Sequence, residues 1–202
     1  VVRADSDIQS IEDLHGRTVS IGAEESGSEQ NARQILSAYG LNDKMVSMVN
    51  LNYEDAAAQL KAGRVDAIFM TVGAPSPVLT ALAGECGIRL LNVDGAAAQR
   101  LQSAYSAYNT VTLPAGTYPG QTEEVQTVGV KAVLLASNAL PAKQVQQLTQ
   151  LLFSSREGLE EQLGIPLDPE ENAVEGVDIP FHAGAAAYHK AAGITVDQTA
   201  GN

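Results

Sequence analysis

Short apolar runs alternate with longer stretches of helical periodicity along most of this chain, and this alternation constrains its fold more than any other feature. Residues 65–70 form an apolar run typical of a buried strand. After Glu29, by contrast, apolar side chains recur at the three- and four-residue spacing of an amphipathic helix as far as Tyr39, and Gly40 follows as a helix-ending residue. Alternation of this kind predicts an α/β fold.

The same criteria predict the succession of elements along the chain. Strands are predicted at residues 17–22, 45–51, 65–70, 88–93 and 127–136. Helices are predicted at residues 29–39, 54–62, 77–83, 95–107, 141–154, in a second piece to about 163, and at 183–192. A long loop rich in Thr, Pro and Gly is predicted at residues 109–124, and an irregular acidic segment at residues 165–180.

Charge restricts the partners that the chain can take. Its 12 basic residues stand singly among 24 acidic ones, which gives a formal net charge of −12. Nucleic acids and anionic membrane surfaces are bound mainly through clustered cations, so neither is expected as a partner. No apolar run approaches the roughly 20 residues of a membrane-spanning helix, so direct membrane insertion is not predicted either.

The segment G-A-E-E-S-G-S at residues 22–28 joins a predicted strand to a predicted helix. Ser28 is predicted to be the N-cap, since its hydroxyl can accept a hydrogen bond from an amide of the first turn. The unpaired amides of that turn carry the positive end of the helix dipole, so Ser26, Gly27 and Ser28 are candidates for holding an anion. An ordinary strand–helix turn with a serine cap explains the spacing equally well.

The glycine spacing of this segment also matches a nucleotide-binding P-loop, but the required lysine is missing after the second glycine. Glu24 and Glu25 would repel a polyphosphate, so we exclude a nucleotide. The same two carboxylates complicate the binding of a small anion unless they point to solvent.

A second candidate loop begins where the predicted strand at 65–70 ends. Ligands of open α/β sheets bind beyond the carboxyl ends of the strands, which makes Thr71, Val72 and Gly73 candidate ligand contacts. Gly73 would allow a close approach of the backbone. A tight turn with Pro77 at the start of a helix is an equally good interpretation.

No residue pattern predicts catalysis, a metal or a cofactor. His182 and His189 can share a helical face, but two ligands rarely make a metal site. Cys86 has no recognisable base, and no G-x-S-x-G motif occurs. We therefore expect a protein that is not an enzyme, with no cofactor and no metal.

Several stretches in sequence order resemble the TAXI family of solute receptors, which serve tripartite ATP-independent (TRAP) transporters. The resemblance is carried by the following segments: I-x-S-I-E-D-L-H-G-R-T-V-S-I-G to Gly22, S-G-S-E-Q-N-A-R-Q-I-L to Leu36, G-R-V-D-A-I-F at 63–69, P-A-G-T-Y-P-G-Q at 114–121, and I-P-F-H-A-G-A-A-A-Y-H-K near the C-terminus.

This resemblance implies a type II periplasmic-binding-protein-like fold, in which two α/β lobes are joined by crossover strands. It implies that residues 5–127 form lobe 2, and that residues 1–4 and 128–202 belong to lobe 1 and the crossover strands. Lobe 1 would be incomplete, because family members carry a further N-terminal segment. Val1 is not an initiator methionine, so we expect that preceding sequence has been removed.

The resemblance also implies a function. The chain would capture a small carboxylate, an amino acid such as glutamate or a dicarboxylate, and deliver it to the subunits of a TRAP-type membrane transporter. The location would be periplasmic or extracellular, with or without a lipid anchor. Ser26 and Ser28 would hold the carboxylate, Thr71 to Gly73 would form a second wall, and Tyr118 would cover the ligand. Glu24 and Glu25 depart from the proline and glycine that are more usual in the family. The alternative is the ligand-binding sensor domain of a signalling protein with the same fold.

Overall fold

The computed structural model describes residues 1–163, 167–177 and 179–196. The chain divides into two compact units, Val1–Gly129 and Val130–Asn202. The boundary between the two units therefore falls after Gly129, close to the predicted end of lobe 2 at residue 127. The assignment of the two units to the lobes of a receptor stays a prediction.

The first unit is built on a five-stranded mixed sheet. Its strands stand in the order β3-β2-β4-β1-β5. β2 pairs in parallel with β3 and β4, whereas β1 is antiparallel to its neighbours β4 and β5. The strands are β1 (Val2–Arg3), β2 (Thr18–Ser20), β3 (Ser47–Val49), β4 (Ala67–Ile68) and β5 (Ile88–Arg89).

Helices cover both faces of this sheet. Ala67 and Ile68 are successive residues of β4 and therefore point to opposite faces, and each belongs to a different apolar cluster. The Ala67 cluster includes residues of α1 and α4, and the Ile68 cluster includes residues of α2 and α3. The helices are α1 (Gly27–Ala38), α2 (Tyr53–Lys61), α3 (Pro77–Cys86) and α4 (Gly95–Ala104), and a short 3-10 helix lies at Glu12–Leu14. The mixed sheet with helices on both faces confirms the predicted α/β class.

A two-stranded hairpin completes the first unit and corrects two predictions. β6 (Asn109–Leu113) lies inside the predicted long loop, and it pairs antiparallel with β7 (Val125–Gly129). The strand predicted at 127–136 ends at Gly129, because Gly129 pairs with Asn109, the first residue of β6, and no further partner follows. Residues 130–136 consequently carry no strand.

The second unit is helical in its described part. It contains α5 (Ala142–Ser154), α6 (Arg156–Leu163), α7 (Glu170–Ala173) and α8 (Ala183–Ala191). The residues of α7 were predicted to be irregular, but they form a single helical turn. Glu170 and Glu171 lie at its start, where the helix dipole favours negative charge. Residues 164–166 and 178 of the predicted irregular segment lie outside the described residues. No described helix has the length and apolar character needed to span a bilayer.

Candidate functional site

The N-cap of α1 is Ser26 and not Ser28. Ser26 has an extended backbone (φ −83°, ψ 158°), and its Oγ accepts a hydrogen bond from the amide of Glu29 at 3.1 Å. Ser28 is the second residue of the helix. The S-x-x-E spacing of Ser26 and Glu29 is the sequence signature of such a helix start, and it is the signal that would have identified the cap.

The first turn of α1 leaves two backbone donors open. The amides of Gly27 and Ser28 have no hydrogen-bond partner among the described residues, as expected of the first positions of a helix. Gly22 allows the loop to fold tightly against this turn, since its φ is 99° and a Cβ there would lie 2.7 Å from the Cβ of Ser28. The positive end of the α1 dipole therefore faces a compact loop.

The Ser28 hydroxyl takes part in a chain of hydrogen bonds. Its Oγ lies 2.6 Å from the hydroxyl of Tyr53, and Tyr53 donates to the carbonyl of Thr71 at 3.0 Å. A phenol has one proton, so Tyr53 accepts from Ser28 while it donates to Thr71. Ser28 thus joins α1 to α2 and to the loop after β4, and Tyr53 is a residue of this cluster that the sequence interpretation missed.

The side chain of Thr71 is held from α1 as well. The side-chain Nδ2 of Asn31 donates to Thr71 Oγ1 at 3.1 Å. The Tyr108 hydroxyl lies 2.8 Å from Asn31 Oδ1 and 2.6 Å from Gln34 Oε1, and its single proton goes to one of these two oxygens at a time. Burial raises the pKa of Tyr108, which keeps this hydroxyl protonated. Asn31, Gln34 and Tyr108 were also missed.

Two of the predicted ligand contacts, Val72 and Gly73, lie next to Thr71 and are exposed. The structure therefore brings the loop after β4 beside the start of α1, with Thr71 as the junction. Tyr118 contacts the far end of this same loop: it is buried in the Ile68 cluster, and its hydroxyl accepts a hydrogen bond from the backbone N–H of Ser76 at 3.0 Å. Its observed role is to support the loop where α3 begins, and not to cover Thr71.

Acidic residues stand close to the helix start. Glu24 and Glu25 are exposed, and Glu25 has a φ of 58°. Glu29 accepts from the amide of Glu25 at 2.8 Å and forms an ion pair with Arg33 at 2.9 Å. Arg33, and then the Glu25 amide, lower the pKa of Glu29. An anion at this helix start would thus be held by amides and hydroxyls, in competition with nearby carboxylates.

A cavity of about 370 Å³ lies at the other end of α1, where Tyr39, Asp94 and Arg100 are among its lining residues. The 12 residues of α1 separate it from Ser26 by roughly 18 Å at 1.5 Å per residue. This cavity contains none of the predicted contacts, so we place the candidate site by chemistry at the start of α1. Among the residues that the structure describes, no three His, Cys, Asp or Glu side chains form a cluster able to hold a metal.

The chain is similar to two solved structures of sulfonate-binding proteins. The periplasmic aliphatic sulphonate binding protein SsuA from Escherichia coli is 22% identical, with a TM-score of 0.46, over 82% of this chain and 47% of that one. The alkanesulfonate-binding protein SsuA from Xanthomonas axonopodis pv. citri bound to MOPS is 20% identical, with a TM-score of 0.45, over 95% of this chain and 60% of that one. The chain thus spans about half the length of these structures.

One protein-family model matches nearly the whole chain. The model described as the NMT1-like family matches residues 1–193. This match does not test the narrower resemblance to TAXI receptors, which stays a prediction. Because the match extends over both compact units, the chain belongs to the NMT1-like family.

Proposed function

We propose that this chain is the ligand-binding part of an extracytoplasmic solute receptor, and that it captures a small carboxylate at the start of α1. The observation that carries the proposal is the pair of open amides at Gly27 and Ser28, which lie next to the Ser26 hydroxyl and the loop at Thr71. Helix starts with free amides bind anions through both hydrogen bonds and the helix dipole.

The contacts of the site assign different roles to its residues. Ser26 accepts from Glu29 through a lone pair, so its proton is available to a ligand oxygen. Thr71 Oγ1 accepts from Asn31, which likewise leaves its proton for a ligand. Ser28 contributes its amide, since its hydroxyl proton is directed to Tyr53. Two amides and two hydroxyls suit the two oxygens of a carboxylate.

The ligand would be an amino acid such as glutamate or a dicarboxylate, and the partner would be a TRAP-type membrane transporter. The resemblance to TAXI receptors supports this choice of transporter, and membership of the NMT1-like family accords with a receptor. The acidic composition gives no support to nucleic-acid binding. Periplasmic or extracellular placement, with or without a lipid anchor, is part of the same proposal.

A thermal-shift panel tests the ligand class. L-Glutamate, L-aspartate, succinate and an alkanesulfonate are each titrated against the chain. A ligand that binds only the folded state stabilises it by about 2.7 kcal/mol at one hundred times its Kd, so Tm rises with concentration. We expect a rise with a carboxylate. A rise with the alkanesulfonate alone would reject the carboxylate and retain an oxyanion receptor, and no rise with any of these ligands would count against the proposal.

A pair of variants at Ser26 tests the site. Ser26→Asn and Ser26→Asp both retain a good N-cap, so we expect the Tm of the free protein to change by no more than about 2–4 °C, equivalent to roughly 1 kcal/mol. Ser26→Asp places a carboxylate beside the open amides and should abolish binding of the carboxylate found in the panel. Ser26→Asn should bind measurably. Equal affinities of the two variants, measured by calorimetry, would reject the start of α1 as the site.

A further inference from the structure

His189 is buried within the second unit in an unusual environment for an imidazole. It lies on α8 with 4% of its surface exposed, and its Nδ1 has no hydrogen-bond partner among the described residues. Three aromatic rings surround it at centroid distances of 5.6–5.7 Å with near-perpendicular planes: Phe153 of α5, Phe181 and Tyr188. A buried polar atom without a partner is uncommon in a folded protein.

The charged groups around His189 offer it little compensation. Glu170 of α7 is the carboxylate that acts on it, and Glu170 already accepts a hydrogen bond from Tyr188. α5 contributes Phe153 at its C-terminal end, whereas its ionisable residue, Lys143, lies ten positions earlier, or about 15 Å away. Next to Phe181, His182 accepts from the Gly184 amide through its Nδ1, and Lys190 of α8 is exposed.

We propose that His189 makes the packing of α8 against α5 acid-sensitive, so that protonation of its imidazole loosens α8 and opens the second unit. An imidazolium has two N–H donors, and the Nδ1 donor would be buried without an acceptor among the described residues. Leaving a charged donor unsatisfied in such a site is strongly unfavourable.

The direction of the effect follows from the competition between burial and attraction. Burial lowers the pKa of His189, and Glu170 only partly offsets this shift. The unfolded chain, with a histidine pKa of about 6.5, therefore binds the proton more readily than the folded one. Stability is fully present above about pH 6.5 and falls as the pH drops below it. Cation–π attraction by the three rings acts in the opposite sense and would dominate only if the imidazolium donors faced ring centres.

Hydrogen exchange of the α8 amides in the complete chain tests the proposal between pH 7.5 and pH 5. After correction for intrinsic exchange rates, protection of residues 183–191 should fall by up to tenfold for each pH unit below about 6.5, the limit for uptake of one proton. In His189→Phe this pH dependence should disappear. His182→Asn, which keeps an N-cap acceptor at the start of α8, should retain it. If His189→Phe shows the same acid loss as the natural chain, the proposal is wrong.

A second measurement does not depend on the fold of any variant. NMR titration of the imidazole signals in the natural chain compares the midpoint of His189 with the pKa of about 6.5 of a free histidine side chain. We expect the His189 midpoint to lie below this value. A midpoint equal to or above it would show that the aromatic cluster stabilises the imidazolium, which overturns the proposal.

Discussion

At residue 25 the backbone adopts a left-handed conformation that a glutamate tolerates poorly. The φ of 58° places the Cβ of Glu25 in a region that costs a non-glycine residue roughly 1–2 kcal/mol. The family resemblance associates residues 24 and 25 with a proline and a glycine, and the observed backbone gives a physical reason for a glycine at position 25. The strain lies directly beside the Ser26 cap and therefore in the candidate site.

We expect Glu25→Gly to stabilise the chain by about 1 kcal/mol, because relief of the left-handed strain outweighs the added freedom of the unfolded backbone. The hydrogen bond from the backbone amide of residue 25 to Glu29 is retained. Glu24→Gly is the matched control: it removes the same charge at a position without positive φ and should not stabilise. Urea unfolding followed by circular dichroism measures both, and equal gains would attribute the effect to charge.

At Gly184, α8 lies very close to the backbone of α5. A Cβ at this position would lie 2.1 Å from the carbonyl oxygen of Ala142 and 2.8 Å from the amide nitrogen of Gln146. Both are backbone atoms of α5, so no side-chain rotation can relieve the overlap. The first turn of α8 is thus fixed against the first turns of α5 by the absence of a side chain.

Gly184→Ala should destabilise the chain by about 1–3 kcal/mol or more, since α5 and α8 must move apart to accept one methyl group. Gly158→Ala is the matched control within α6, because nothing lies within 4 Å of the Cβ that it adds. In a helix interior that exchange should stabilise by about 0.5–1 kcal/mol. The midpoint of urea unfolding measures both changes. An equal loss of stability at both positions would show that the close contact of Gly184 with the α5 backbone is not the cause of the loss.

Across the whole molecule, apolar burial is distributed very unevenly between the two units. Within the described part of the second unit, the buried apolar residues are Val145 and Ala186. The same unit exposes large apolar side chains, of which Leu134 (68%) and Leu135 (71%) are the most exposed. The others are Val130, Val133, Leu140, Leu148, Leu151, Leu163 and Ile179. So small a core cannot offset the conformational entropy lost on folding, and exposed apolar surface of this kind is typical of an interaction face.

We therefore predict that a fragment of residues 1–129 folds cooperatively, whereas a fragment of residues 130–202 does not. The first fragment retains the five-stranded sheet and both apolar clusters. Circular dichroism under increasing urea would show a sigmoidal transition for the first fragment and a gradual loss of helix for the second. A sharp transition in the isolated second fragment would contradict the prediction and show that its core suffices.

The sequence alone predicted the α/β class and most helices of this protein, because helical periodicity and helix-ending glycines are local properties of the chain. The helices before Gly40 and Gly63 end next to those residues, and α3 begins at Pro77 as predicted. The S-x-x-E start of α1 was equally local, and the serine misassigned as its cap lies two residues away.

Tertiary structure decided what depends on residues distant in the chain. β6 exists because it pairs with β7, and the strand predicted at 127–136 stops at Gly129 because β6 offers no further partner. Ser28, Tyr53 and Thr71 meet although 25 and 18 residues separate successive members. Tyr118 is buried by its contact with Ser76, 42 residues earlier. A sequence shows which residues favour strands or carry hydroxyls, but only the folded chain decides their partners, since hydrogen bonds require atoms within about 3 Å of each other.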